Sequence, residues 1–127
     1  MICLGLGIDL IYTPRIKKLL ETYKERFLKK FFNQEEIDYA LKKTKVWEAL
    51  AASFAIKEAF YKAIGGYSPF SFKDISLIRH SSNGKPYLKL YGKAEEIFQK
   101  RGGKKIDLSL SHDFQYTIAV VILWGEK

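Results

Sequence analysis

The segment VWEALAASFAIKEAFYKAI, which spans residues 46–64, is apolar or small around nearly its whole circumference. The pattern predicts one long helix from Val46 to Ile64, and the glycine pair Gly65-Gly66 predicts its end. At 100° per residue, apolar side chains cover one broad side and much of the opposite side. Because a helix that is apolar nearly all round is usually buried, we expect this helix to lie in the core.

The segments on either side of the long helix predict five strands and three further helices. Thr13 as a cap and Pro14 in the first turn predict one helix start, NQEE supplies the cap of another, and Asn83-Gly84 is a strong hairpin turn. The strands are expected at ICLGLGIDLIY, DISLIRH, PYLKLYG, KIDLSLSH and YTIAVVIL, the helices at TPRIKKLLETYKERF, Gln34 to Lys42 and KAEEIFQKRGG, and a loop at Ser68-Pro69. This order predicts an α+β fold in which a mainly antiparallel sheet packs on a long central helix. The 127 residues predict one domain over residues 1–127.

Three charged side chains interrupt the long helix. Glu58 and Lys62 are four residues apart and therefore neighbours on the helix surface. Lys57 falls on a polar stripe with Ser53 and Tyr61. The simplest interpretation is a Glu58–Lys62 pair on a solvated stripe, worth only about 0.3 kcal/mol. The alternative is a buried carboxylate, which must be paired or bind a metal ion.

A lone acid, Asp9, occupies the first predicted strand. Leu4, Leu6, Ile8, Leu10 and Tyr12 share one face of that strand, and Cys3, Gly5, Gly7, Asp9 and Ile11 share the other. The small residues before Asp9 allow another element or a ligand to approach closely, although Asp9 is alternatively a helix cap or a loop acid. Asp9 and Glu58 together supply two hard oxygen ligands, which with waters and phosphate oxygens make a typical magnesium set. Their spacing in sequence does not establish that they meet.

Other motifs exclude some classes of site. Ser111, His112 and Asp113 are consecutive on a predicted strand, where side chains alternate between faces, so they do not form a catalytic triad. His112 is either an anion contact or a strand-end histidine. A single cysteine, Cys3, excludes a disulfide within the chain and a cysteine metal cluster.

The chain is basic, with 22 Lys and Arg against 14 Asp and Glu and a formal charge of +8. This balance favours an anionic partner without choosing among nucleic acid, a membrane surface, a phosphate-bearing ligand and an acidic protein. A small nucleic-acid-binding module is one alternative, but no binding motif is present and the lysines are spread over the chain. No apolar run can span a bilayer, and the start MICLGLGIDL lacks a basic leader, which together predict a cytoplasmic protein.

Three segments in order resemble one known family, the holo-acyl-carrier-protein synthases, which are small single-domain 4′-phosphopantetheinyl transferases. They are GLGIDLIYTPRI, FAIKEAFYKAIG and LSLSHDFQYTIAVVI, and NGKPYL at residues 83–88 also fits. The resemblance implies a 4′-phosphopantetheinyl transferase-like fold and transfer of the phosphopantetheine arm of coenzyme A to a serine of apo acyl carrier protein. It also implies release of adenosine 3′,5′-bisphosphate, a need for magnesium, a place in fatty acid biosynthesis, and homotrimers with sites between subunits.

The resemblance assigns roles to individual residues. It implies catalytic roles for Asp9, Glu58 and Lys62, with Asp9 and Glu58 as the magnesium ligands and Lys62 near the pyrophosphate. It implies substrate contacts for Lys57 beside the metal acid, His112 near the nucleotide 3′-phosphate, Gly84, Lys85 and Pro86 on the adenine side, and Arg15 in docking the carrier protein. A metal-bound water and Asp9 are both candidates for the base that deprotonates the serine.

Two features bear on the partners that the resemblance implies. Lys17, Lys18, Lys29 and Lys30 flank Arg15 and form either a docking face for an acidic carrier protein or an ordinary solvated helix face. Ser53 stands where the family often has arginine, which puts one phosphate contact in question and allows a third reading, a protein that binds coenzyme A without transferring its arm.

Overall fold

The computed structural model describes residues 1–66 and 69–126, so Ser68 of the predicted loop and the final residue of the predicted domain lie outside the described residues. The elements in chain order are β1 (Ile2–Tyr12), α1 (Thr13–Tyr23), α2 (Glu25–Phe31), α3 (Gln34–Leu41), α4 (Val46–Ala63), β2 (Ile75–Arg79), β3 (Pro86–Leu90), α5 (Gly92–Lys100), β4 (Gly103–Asp113) and β5 (Tyr116–Gly125). Within these ranges, no helix is both long enough and apolar enough to cross a bilayer.

The long helix α4 lies at the centre of the protein, as its apolar circumference predicts. It contacts the strands β1, β5 and β2 and the helices α1 and α3. Its buried side chains include those of Leu50, Ile56 and Phe60. The prediction of an α+β fold built on a long central helix is therefore confirmed.

Every strand pair that the structure describes is antiparallel. One sheet has three strands in the order β1-β5-β4, and the second sheet is the β2-β3 hairpin. In the first sheet Asp9 lies opposite Ala119, and His112 lies opposite Thr117. The central strand β5 thus lies between the strands that carry Asp9 and His112.

The helices before α4 differ in one respect from the prediction. The single helix expected from TPRIKKLLETYKERF is divided into α1 and α2, because Lys24 adopts a positive φ of 48° that a helix cannot continue through. Pro14 lies in the first turn of α1, but the cap position is Tyr12 rather than Thr13. The hydroxyl of Thr13 instead shares a 2.8 Å hydrogen bond with Thr117. At α3, Asn33 and Glu36 form the capping box that NQEE predicts.

The glycine face of β1 is the face that packs against α4. A Cβ atom on Gly5 would lie 1.8 Å from the carbonyl oxygen of Ala63, and one on Gly7 would lie 1.8 Å from that of Ala59. Helix and strand therefore meet backbone to backbone, which only glycine allows. The leucine face of β1 points away, and Leu6 and Leu10 are 62% and 63% exposed.

A buried ion pair fixes another side of α4. Lys57 and Glu36 have no exposed side-chain surface, and the ammonium lies 2.5 Å from Glu36 Oε1 and 2.7 Å from the carbonyl oxygen of Phe31. Glu36 also accepts hydrogen bonds from the backbone N–H groups of Asn33 and Leu77, both at 3.0 Å. Burial lowers the pKa of Lys57, and the Glu36 carboxylate opposes that shift. The pair therefore connects α4 to α3, to the end of α2 and to β2.

Replacing Lys57 by Met is expected to destabilise the protein by about 3–5 kcal/mol, because the buried Glu36 carboxylate keeps its backbone donors but loses its cation. The measurement is the free energy of unfolding in urea. Lys93→Met is the control, since Lys93 pairs with Glu96 at the surface and its loss costs about 0–1 kcal/mol. Equal stability of the two variants would contradict a structural role for Lys57.

Candidate active site

The structure brings Asp9, Glu58 and Lys62 to one place. Asp9 follows Gly5 and Gly7 on the face of β1 that meets α4, and Glu58 and Lys62 lie on successive turns of α4. The Lys62 ammonium donates to the carbonyl oxygen of Ile8 at 3.0 Å and to Asp9 Oδ1 at 3.3 Å. The Asp9 side chain is 16% exposed and that of Lys62 is 52% exposed, so the group opens to solvent through the lysine.

The pKa values of both carboxyl groups are raised. Burial raises the pKa of Asp9, while Lys62 and, more weakly, Arg15 oppose the shift. Burial likewise raises the pKa of Glu58, and the negative charge of Asp9 raises that pKa further, against the opposing effect of Lys62. Two neighbouring carboxylates thus share mainly one half-exposed lysine, and a further cation would stabilise their ionised forms.

This donor set fits a magnesium ion. Magnesium in proteins is typically held by one or two carboxylates and takes its other oxygen ligands from water and substrate phosphates. Across residues 1–66 and 69–126, no group of three His, Cys, Asp or Glu side chains is arranged to hold a metal ion by itself. Asp9 and Glu58 therefore suit an ion that a substrate helps to coordinate, rather than an ion enclosed entirely by protein.

Arg15 lies at the same edge of the protein as the carboxylates. It is an exposed residue in the first turns of α1, which begins directly where β1 ends. Its positive charge weakly opposes the rise that burial causes in the pKa of Asp9. The turn from β1 into α1 therefore positions a second cation beside the Asp9–Glu58 group.

His112 lies in a separate pocket of about 440 Å³. Its Nδ1 atom is 3.0 Å from the hydroxyl of Thr117, a buried residue that also bonds Thr13, and these contacts orient the imidazole. The pocket is rich in cationic groups, with one carboxylate at its wall. Its lining residues are Tyr39, Lys43, Thr44, Lys45, Glu48, Ala49, Ala52, Arg79 and His112.

The turn of the β2-β3 hairpin carries Gly84 and Lys85, and Pro86 begins β3. Gly84 has a φ of 71°, which suits glycine at this turn, and the Lys85 N–H donates to Asn83 Oδ1 at 2.8 Å. Pro86 lies opposite Arg79, one of the residues that line the His112 pocket. The hairpin turn therefore lies next to the wall of that pocket.

Lys57 is the predicted site residue that the structure does not bring to either location. Its ammonium is enclosed in the core by Glu36 and Phe31, so it is not available for the substrate contact expected from its position beside Glu58. Conversely, the cationic pocket residues Lys43, Lys45 and Arg79 were not predicted. The basic run KKTK at residues 42–45, immediately before α4, is the signal that would have indicated the two lysines, whereas Arg79 lies outside that run.

Comparison with known proteins gives consistent matches over nearly the whole chain. The family model described as the 4′-phosphopantetheinyl transferase superfamily matches residues 5–121. The holo-acyl-carrier-protein synthase of Syntrophus aciditrophicus is 44% identical over 126 residues, which cover 97% of each chain. The crystal structure of the Neisseria meningitidis holo-acyl-carrier-protein synthase superposes with a TM-score of 0.87 at 28% identity, covering 98% of this chain and all of that one. The Helicobacter pylori synthase in complex with coenzyme A gives 0.80 at 31% identity, covering 94% and 99%.

Substitution of Gly7 by Ala is expected to destabilise the protein by about 1–3 kcal/mol or more. The new methyl group would overlap the carbonyl oxygen of Ala59, so β1 and α4 must separate. The measurement is the midpoint of urea unfolding, with Ser109→Ala as the control at an exposed position of the same sheet. An unchanged midpoint for Gly7→Ala would show that the contact between helix and strand relaxes without cost.

Proposed function

The chain belongs to the 4′-phosphopantetheinyl transferase superfamily, and on that premise we propose that it transfers the 4′-phosphopantetheine arm of coenzyme A to a serine of apo acyl carrier protein. The products are the holo carrier protein and adenosine 3′,5′-bisphosphate, and the reaction serves fatty acid biosynthesis. The observation that carries the proposal is the meeting of Asp9, Glu58 and Lys62 from β1 and α4. Two carboxylates and a lysine at one exposed edge suit a reaction at a pyrophosphate.

The chemistry is a displacement at phosphorus. The serine oxygen bonds to the phosphorus that bears pantetheine, and the bond from that phosphorus to the nucleotide-side oxygen breaks. The serine hydroxyl proton passes to a carboxylate oxygen or to solvent. Because such transfers depend mainly on positioning and on neutralising phosphate charge, Lys62 is the residue of this chain that would meet the pyrophosphate.

We assign Asp9 and Glu58 as the residues that would hold magnesium. Their mutual repulsion, opposed mainly by Lys62, supports this assignment. When bound, magnesium neutralises charge on the pyrophosphate oxygens. Fixing both carboxylates on rigid elements, one on β1 and one on α4, keeps their oxygens in place between turnovers.

The nucleotide end of coenzyme A is assigned to the His112 pocket and the neighbouring hairpin turn. The cationic lining suits the 3′-phosphate, with His112 held in orientation by Thr117. Gly84, Lys85 and Pro86 would lie along the adenine side, where Gly84 has a positive φ and adds no side chain to the turn. Lys57 has no role in this assignment, because its contacts are internal.

The carrier protein is assigned to the basic surface formed by α1 and α2. Acyl carrier proteins are acidic, and complementary charge guides association and fixes orientation. Arg15 is the residue of this surface whose charge acts on Asp9. Two lysines of this surface rest on aromatic rings, Lys17 on Trp47 at 4.5 Å and Lys30 on Phe31 at 5.4 Å. The remaining lysines of this docking surface are Lys18 and Lys29.

A homotrimer with sites between subunits is also part of the proposal. The leucine face of β1 is apolar and exposed, and it continues onto β5, where Leu10 pairs with Ile118 and Tyr12 pairs with Tyr116. An exposed apolar patch of this kind on a folded chain is typical of a protein interface. Burial of this face between subunits would also account for apolar residues on the outer side of the sheet.

The transfer is tested with coenzyme A, magnesium and apo acyl carrier protein, with the added arm detected by mass spectrometry. We expect transfer by the native protein, loss of transfer on chelation of divalent cations, and recovery with magnesium. Asp9→Asn and Glu58→Gln should each lower the rate about 100-fold or more, because each removes charge at the reacting phosphate. Glu96→Gln, an exposed acid paired with Lys93, is the control and should keep the native rate.

The alternatives give different results in the same experiment. No added arm with several carrier proteins would refute the transferase assignment. If coenzyme A still bound in that case, the chain would be a binding protein of the same family. Salt-steep binding to DNA or RNA would instead favour the nucleic-acid-binding alternative. Native rates in Asp9→Asn or Glu58→Gln would refute the metal assignment alone.

The assembly is tested by substituting Leu10, which is 63% exposed in the single chain, with Lys. We expect the native protein to sediment at three times the chain mass and Leu10→Lys to sediment as smaller species, because the charge cannot be buried in an apolar interface. Leu41→Lys is the matched control, since Leu41 is 61% exposed on a different element. A trimer that survives Leu10→Lys would place the interface elsewhere.

A further inference from the structure

Arg79 is a partly buried cation at the end of β2 that forms no direct ion pair with a carboxylate among the described residues, although the charge of Glu36 acts on it from further away. The centre of its guanidinium lies 4.2 Å from the centre of the Tyr39 ring. No carboxylate oxygen within the described part of the chain lies close enough to form an ion pair with it. Burial lowers the pKa of Arg79 against the opposing effects of Tyr39 and Glu36, and arginine stays charged at neutral pH. A partly buried cation that lacks a direct ion-pair partner gains from contact with an incoming anion.

Other cations near Arg79 make the binding of an anion more favourable. Lys43 lies over the same Tyr39 ring, 4.8 Å from its centre, so two cations converge on one aromatic side chain. Both line the His112 pocket, together with Lys45. The one acid of the lining, Glu48, lies 4.0 Å from Lys45. No carboxylate among the described lining residues forms a direct ion pair with Arg79 or Lys43, so an anion bound in the pocket would supply that contact.

The position of Arg79 is rigid on both sides. Its backbone pairs with Pro86 across the β2-β3 hairpin, and the rings of His80 and Tyr87, the residues that follow each of them, stack at 4.4 Å between centres. The Tyr39 ring supports the guanidinium from α3. A planar guanidinium held in this way presents its donors in a fixed direction, which suits two-point binding of a phosphate.

We propose that Arg79, held by Tyr39, is the residue that makes this site select a nucleotide bearing a phosphate monoester at the 3′ position. The inference rests on the proposed function, because coenzyme A carries one such monoester. A monoester holds nearly two negative charges at neutral pH, whereas each phosphate of the pyrophosphate holds one. Ser53, which is almost fully buried on α4, brings no cation to the site. Arg79 thus supplies the guanidinium of the pocket.

The first test is calorimetric titration of the whole protein with adenosine 3′,5′-bisphosphate and, separately, with adenosine 5′-monophosphate. Arg79→Gln should weaken binding of the bisphosphate about tenfold or more, the effect of losing a hydrogen bond to a charged group, and should leave binding of the monophosphate within about twofold. Lys100→Gln removes one exposed charge from the end of α5 and should change neither. Equal weakening of both nucleotides, or of neither, would overturn the proposal.

The second test compares coenzyme A with dephospho-coenzyme A as donors in the transfer reaction. Arg79→Gln should raise KM for coenzyme A about tenfold with kcat within about threefold, and should match the native protein with dephospho-coenzyme A. Arg79→Lys keeps the charge without the planar fork and should recover part of the preference. A fall in kcat with both donors would indicate general damage and overturn the role in selection.

Two further measurements keep the outcome interpretable. Circular dichroism and sedimentation establish that each variant keeps its fold and assembly. If Arg79→Gln does not fold, Tyr39→Leu is used, and it should reduce the preference for the 3′-phosphate severalfold while retaining the arginine. Native transfer with an unchanged preference in the variants would overturn the role of Arg79 alone. An Arg79-dependent preference in a protein that transfers no arm would overturn the proposed function alone.

Discussion

The contact between α4 and the bare backbone of β1 determines where the other parts of the protein lie. Gly5 and Gly7 leave no side chain between strand and helix, so the helix rests on the strand itself. Asp9 is the next residue on that face, and it therefore emerges where α4 presents Glu58 and Lys62. These three polar side chains therefore lie together at the edge of the core. The close packing of helix and strand leaves them little freedom to move. The same contact turns the leucines of β1 outward, which creates the apolar face assigned to the subunit interface.

Two adjacent residues of α4 lie in different environments. Lys57 turns into the core and meets Glu36, whereas Glu58, 100° further round the helix, faces Asp9. The buried pair holds α4 against α3 and β2, and β2 carries Arg79 and leads into the turn at Gly84. The helix that bears the candidate metal ligands is therefore joined by internal hydrogen bonds to the hairpin assigned to the nucleotide.

The sequence predicts the features of this protein that depend on local pattern. The long helix, the five strands and the capping box at Asn33 follow from periodicity and turn chemistry, and the family resemblance is confirmed by matches over nearly the whole chain. Local pattern does not identify the break at Lys24, whose residue type does not indicate a positive φ. It also cannot place Lys57 in the core, because its partner Glu36 is 21 residues away in sequence. The cationic pocket joins side chains from α3, β2 and β4 and depends on the same kind of distant contact.

The Lys57–Glu36 pair has a consequence for how the sequence of such a chain can change over time. Loss of either member alone leaves an uncompensated charge in the core, while replacement of both by apolar residues of similar volume is often nearly neutral. The effects of substitutions at these two positions are therefore expected to be strongly non-additive. Lineages that alter one position would pass through a destabilised intermediate unless the other changes with it. Positions 36 and 57 should accordingly vary together, although neither is assigned to a substrate.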